Sequence, residues 1–185
     1  MIPTRDDCLK LMGQHEMLDH IIDHSIEVAK VALFLSMELN KRGQQIDLHL
    51  VEAAALLHDL TKTECLRTKE DHAQTGSKLL KGMGYKRVGE VVAEHIQLSK
   101  GQDPSSVSEE EVVNYADKRV QHDRIVSLEE RFNDLEERYG KNKRAFEQLE
   151  QLKKSTFEIE TKIFSILEII PEDLLLEQIP LDQGM

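Results

Sequence analysis

Residues 51–62 read "VEAAALLHDLTK", an apolar helical run whose inward stripe, Val51, Ala54 and Ala55, continues into His58 with Asp59 beside it. A helix that turns a histidine and a carboxylate toward its own core needs a partner for them there. An unpaired buried polar group costs about 1–3 kcal/mol, and a lone carboxylate costs far more. The same interruption recurs elsewhere. Met17, Ile21, His24, Val28, Val31 and Leu35 follow one another at steps of three and four, with His24 inside the stripe. Val88, Val91, Val92 and His95 form another stripe, and Val113, Ala116, Asp117 and Val120 a further one.

Punctuation between these stripes predicts separate helices. Gly43 ends the first, over residues 16–40, and Asp47 caps the next. "LTKTECLRTKED" breaks the pattern and reads as a loop near the site. Asp71 caps "HAQTGSKLLKGMG", whose first turn holds His72 and whose end is marked by Gly82 and Gly84. "KGQDPSS" is an interior loop. Ser108 and Glu111 then form a capping box that opens a long helix, predicted to run to Tyr139. Beyond Gly140, Phe146, Leu149, Leu152, Ile159, Ile163 and Ile166 lie along one face of a charge-laced amphipathic helix. The final "PLDQGM" reads as frayed.

Aromatic residues make up 4% of the chain with no Trp, while 32% are charged, a composition suited to helices packed through aliphatic side chains. The expected fold is all-α: a helical bundle over residues 1–140, with its core at about 16–125, and an additional charged amphipathic C-terminal helix in 141–185. That extension is expected to pack on the domain or on a second copy, giving a homodimer. The formal charge of −11 repels nucleic acid and anionic membrane surfaces, so neither is an expected partner. Cys8 and Cys65 lie far apart without CxxC spacing, which argues against a disulfide framework or a thiolate zinc site and favours the cytoplasm. No apolar run approaches the roughly 20 residues of a membrane span, and the N-terminus reads as unprocessed.

Packing the four stripes round one core brings His24, His58, Asp59, His95 and Asp117 together, and a bound cation satisfies them at once. Neutral imidazoles and carboxylates favour Mn, Fe, Co, Ni or Zn ahead of Ca or Mg. A single histidine on an apolar stripe is more often a hydrogen-bonded core residue; the recurrence is what points to a metal.

His24 on the first long helix, the His58–Asp59 pair and Asp117 in "NYADKRV", in this order on successive helices, resemble the HD superfamily of metal-dependent phosphohydrolases. His72 in "EDHAQTG" and His95 in "VVAEHIQ" match the two extra histidines of its two-metal branches. The resemblance covers about residues 16–125. It implies an HD-domain bundle holding one or two divalent transition metal ions, with Mg admissible. One ion would take His24, His58, Asp59 and Asp117; a second would take Asp59 as a bridge with His72 and His95. In "HDLTK" Thr61 stands where the family more often has glycine, while Lys62 keeps the basic position.

The function expected from this resemblance is hydrolysis of a phosphate ester or anhydride in a small molecule, a nucleotide before a sugar phosphate, by attack of metal-activated hydroxide. Asp59 and Lys62 are the expected catalytic residues. Lys62 leads the substrate-binding candidates, followed by Lys118 and Arg119 beside Asp117, then Arg67 and Lys69 on the loop. Two rivals remain: a non-catalytic regulatory module stabilised by metal, and a di-iron oxygenase of the same superfamily. A second "HD", His122–Asp123, reads as incidental or supporting. His15, His20 and His49 read as solvent-facing, with His20 one turn before His24. Leu128, Phe132, Leu135 and Tyr139 read as a packing stripe.

Overall fold

The computed structural model describes residues 1–99 and 103–175, so the "PLDQGM" end and part of "KGQDPSS" lie outside the described residues. The architecture is all-α with one tiny antiparallel ribbon: α1 Arg5–Gln14, α2 Asp19–Lys41, α3 Leu48–Leu57, α4 Lys62–Thr68, α5 His72–Gly82, α6 Lys86–Ala93, α7 Glu109–Arg119, β1 Val120–Gln121, β2 Arg124–Ile125, α8 Leu128–Tyr139 and α9 Lys143–Leu167. A short 3-10 turn follows at Pro171–Leu175.

Caps set the boundaries. Asp47 accepts from the backbone N–H groups of His49 and Leu50, Asp71 from those of Ala73 and Gln74, and Ser108 and Glu111 close a reciprocal capping box. Gly43, at φ 89°, takes the left-handed turn just beyond α2. A capping box between Thr4 and Asp7 opens α1, which the periodicity did not show.

α2 and α3 form the centre of the bundle, with α7 crossing α2 and α6 packed on α3. Their shared core includes Val28, Val31, Leu35, Val51, Ala54, Leu57, Val91, Val112 and Ala116. α5 and α6 lie close enough that a Cβ on Gly89 would meet the Ser77 carbonyl oxygen at 2.7 Å, which is why a glycine faces α5 there.

Two expected boundaries differ. The predicted loop at 60–71 contains α4, which begins at Lys62, three residues after Asp59. The helix expected to reach Tyr139 stops at Arg119. Val120 and Ile125 pair across the ribbon, His122 turns it at φ 58°, and Ser127 caps a new helix, α8.

α9 lies on α7, α8 and α2. Ile159 and Ile163 are buried as the stripe predicts, together with Thr156, Phe164 and Leu167, whereas Phe146 is 45% exposed. Lys162 pairs with buried Glu111 at 2.7 Å and Tyr115 donates to Glu160 at 2.6 Å, which clips this half of α9 to α7. No described helix is long and apolar enough to cross a membrane.

Candidate metal centre

His24 projects from the second turn of α2, and His58 and Asp59 follow α3 directly. His72 opens α5, His95 lies just past α6, and Asp117 sits near the end of α7. The bundle gathers all six. His24, His58, Asp59, His95 and Asp117 are buried, and His72 is partly exposed. Two groups have ligand atoms mutually within 4.8 Å: His24, His58 and Asp59, and Asp59, His72 and His95. Asp117 Oδ1 adjoins the first, 3.0 Å from His24 Nε2 and 3.6 Å from His58 Nε2. Asp59 belongs to both groups, with Oδ1 3.2 Å from His72 Nε2 and 3.7 Å from His95 Nε2.

Three of the imidazoles are held in one tautomer. Nδ1 of His58 donates to the Ala55 carbonyl at 2.7 Å, that of His95 to the Val92 carbonyl at 2.7 Å, and that of His24 to the His122 carbonyl at 2.9 Å. Each ring therefore directs Nε2 inward, the arrangement that orients and strengthens a histidine ligand. The second "HD" thus touches the site through the backbone of His122, while Asp123 is exposed. Thr61 at the glycine position has φ −101°, which any residue adopts, and its hydroxyl donates to the His72 carbonyl at 2.9 Å. That bond ties the start of α5 to the His58–Asp59 segment.

Among the described residues, His58 Nε2 and Asp59 Oδ1 are buried without a hydrogen-bond partner. Orphaned buried polar atoms of this kind are rare unless an ion or water completes them. Burial alone drives the His58 imidazole toward its neutral form, but Asp59 and Asp117 outweigh burial and raise it to about 10. Burial and the neighbouring His58 charge push His95 down to about 3. Burial works against ionisation of Asp59, yet His58, His72 and Lys62 hold it well below the usual carboxylate range. Asp117 is held low in the same way, chiefly by Lys118 against the effect of burial. The donor set fits a divalent ion: every acid is ionised, His95 is neutral, and one proton on His58 stands in for missing positive charge.

A cavity of about 250 Å3 opens from this cluster, with His24 and Asp59 in its floor. Lys62 lies on its wall and donates to Asp59 Oδ2 at 2.6 Å; burial opposes its charge, but Asp59 and Asp117 raise it, with Arg131 acting against them. Leu135, Tyr139, Arg131 and Arg138 of α8 supply the facing wall. The stripe read as packing is therefore divided: Leu128 and Phe132 are buried, whereas Leu135 and Tyr139 border the cavity. His20, read as solvent-facing, is exposed but borders it too.

The other basic candidates lie elsewhere. Lys118 is buried and its ammonium bonds Asp117 Oδ2 at 2.8 Å and the His95 carbonyl at 2.7 Å, so it braces two candidate ligands and is not among the residues lining the cavity. Arg119 faces the opposite side of α7, donating to the Val126 carbonyl, Tyr115 Oη and the Pro171 carbonyl and pairing with Glu160. Positions 117 and 119 on a helix point about 200° apart, so adjacency in sequence did not bring them together. Arg67 and Lys69 are exposed on α4 and its cap, outside the cavity wall.

A family model described as HD domain matches residues 21–138. The chain belongs to the HD domain family. Within that family, clustered His and Asp residues suggest divalent metal binding. An uncharacterized protein of Methanocaldococcus jannaschii is 23% identical over 138 residues, 67% of this chain and 80% of that protein. A protein named tRNA (cytidine(56)-2'-O)-methyltransferase from Picrophilus torridus is 29% identical over 94% of this chain and 51% of its own length. One with the same name from Thermoplasma volcanium is 32% identical over 52% of this chain and 27% of its own. The chain thus spans about half the length, or less, of the methyltransferases it matches. No solved structure matches the chain.

Proposed function

We propose that this HD domain protein is a metal-dependent phosphohydrolase that cleaves a phosphate ester or anhydride of a small molecule, a nucleotide before other phosphorylated compounds. The observation that carries the reading is the pair of buried orphan atoms, His58 Nε2 and Asp59 Oδ1, next to an open cavity that Asp59 borders. His24, His58, Asp59 and Asp117 would hold one ion, and Asp59, His72 and His95 a second, drawn from Mn, Fe, Co, Ni or Zn with Mg admissible. Such ions, when bound, supply Lewis acidity and lower the pKa of water.

The chain's own groups do the rest. Asp59 is shared between the two ligand groups and so fixes them relative to each other. Lys62 is held in its charged form by Asp59 and Asp117, which suits it to hold a proton at the leaving oxygen and makes it a poor base. The carbonyls of Ala55, Val92 and His122 keep three imidazoles from rotating, so little reorganisation is needed at the reacting centre. Asp117 is oriented by Lys118 and His24.

The test joins metal analysis of the purified chain to a panel of nucleotides and cyclic nucleotides assayed with Mn, Co, Ni and Mg. The panel includes tRNA because two relatives are named for tRNA methylation, although the charge of −11 favours a small substrate. Metal-stimulated release of phosphate or nucleotide from a small substrate is expected. Oxygen consumption by a reduced di-iron form, or tight metal binding with no turnover of any phosphate compound, would replace this reading with one of its rivals.

A further inference from the structure

We propose that the outer wall of the cavity is a second anion subsite, formed by Arg131 and Arg138 of α8 with Lys62, and that the substrate carries two phosphoryl groups. One phosphoryl lies over the His24, His58, Asp59 and Asp117 cluster and the other against the two arginines. This deepens the phosphohydrolase reading and rests on it.

Arg131 and Arg138 are seven residues apart on α8, two turns along one face, with Leu135 between them. Asp134 alone braces both guanidinium groups, with Oδ2 3.4 Å from Arg131 and Oδ1 2.8 Å from Arg138. One carboxylate shared between two guanidinium groups leaves a surplus of donors and of charge. Arg131 Nε shows it directly: the atom is buried and has no hydrogen-bond partner among the described residues. A buried N–H without an acceptor is costly, and a fork of such donors matches the oxygens of a phosphoryl group.

The arginines are also joined to the ligand cluster. Arg138 lies 3.3 Å from His122 Nε2, and the carbonyl of that same His122 orients His24. Arg131 is near enough to Lys62 to oppose its charge, and Lys62 bonds Asp59. Among the described residues lining the cavity, Asp59 is the one carboxylate, set against Lys62, Arg131 and Arg138. On a chain of charge −11 this is a local reversal of sign, which recruits an anion at short range where salt screens little. Ile21, Leu66, Leu135 and Tyr139 give the same cavity an apolar border for the organic part of the substrate.

The test measures binding, not turnover. Isothermal titration of the manganese-loaded full chain compares methylenediphosphonate with methylphosphonate, probes that carry two phosphoryl groups and one. Binding of the two-phosphoryl probe is expected to be at least about ten-fold tighter. Arg138→Gln and Arg131→Gln should each cut that margin several-fold, while Arg67→Gln, which removes the same charge outside the cavity, should leave it intact. If Arg131→Gln does not fold, Arg138→Gln, on a half-exposed side chain, and Arg131→Lys, which keeps the charge but loses the fork, carry the measurement.

Equal binding of the two probes, a margin that survives loss of both arginines, or an equal loss in Arg67→Gln would overturn the subsite. A methylene-bridged nucleoside diphosphate and a sugar bisphosphate, titrated side by side, tell an anhydride from phosphates on separate carbons. A margin without any phosphoester turnover would leave the subsite standing and remove the hydrolase reading. Turnover without a margin would do the reverse.

Discussion

Shifting the pH from 8 to 6 should weaken binding of the first metal ion by at least about a hundred-fold. The magnitude follows from protonation states at the cluster. His58 is raised to about 10, so in the metal-free protein it carries a proton on Nε2 at both pH values. Its Nδ1 proton stays on the Ala55 carbonyl, so the Nε2 proton must leave when that atom becomes a ligand. Asp59 and Asp117 are already ionised and His95, pushed to about 3, is already neutral, so they release none. The His58 proton alone makes the apparent affinity fall about ten-fold per pH unit, or ~2.7 kcal/mol over two units. Titration calorimetry in two buffers of different ionisation heat counts the proton, and chelator competition at each pH gives the affinity. A constant affinity over this range, with no buffer-dependent heat, would refute His58 as a ligand.

The same shift sets how the metal-free protein responds to pH. His58 has a folded value above its unfolded value near 6.5, so its stabilising contribution is full below about pH 6.5 and is lost as pH rises through about 10. Asp59 and Asp117, held below the ordinary carboxylate value, contribute above that value, and the contribution is lost as acid protonates them. Melting temperatures of chelator-treated protein should therefore decline from pH 6.5 to 10, whereas saturating metal should remove that decline.

His58→Ala and Asp59→Ala should each abolish metal-stimulated turnover with the helical circular-dichroism signal largely kept; Asp123→Ala, at an exposed position, should do little, and equal damage would mean that the wrong His–Asp pair has been chosen. Gly89→Ala should destabilise by roughly 2 kcal/mol, a melting shift of roughly 4–8 °C, because its Cβ would sit 2.7 Å from the Ser77 carbonyl oxygen; an unchanged melt would mean that α5 and α6 can part freely. Arg119→Met should lower stability by roughly 3 kcal/mol by leaving the Val126 and Pro171 carbonyls without their donor and removing the charge paired with Glu160. It should leave kcat/KM at low temperature unaltered, and a selective rise in KM would return Arg119 to the substrate site.

The convergence of His24, His58, His95 and Asp117 was legible because each breaks an apolar stripe. Helix caps at Asp47, Asp71 and Ser108 were legible for an equally local reason. The end of α7 was not: no glycine or proline marks a break between Arg119 and Ser127, and the β-branched Val120 and Ile125 and the turn at His122 become decisive only when the ribbon pairs. The basic residues misled because sequence proximity to Asp117 says nothing about direction around a helix. Arg131 and Arg138 were missed because Leu128, Phe132, Leu135 and Tyr139 read as a packing stripe, which gave the arginines beside them no site to face. Their spacing with Leu135 and Tyr139, at four, seven and eight residues from Arg131, is the signal that marks one face of α8.

Anomalous diffraction from a manganese-loaded crystal, collected on and off the metal edge, tests the central claim most directly. The account predicts two peaks about 3.5–4 Å apart that share Asp59, one bounded by His24, His58 and Asp117 and the other by His72 and His95. Manganese bound only at surface carboxylates, with His58 Nε2 and Asp59 Oδ1 left to water, would contradict it.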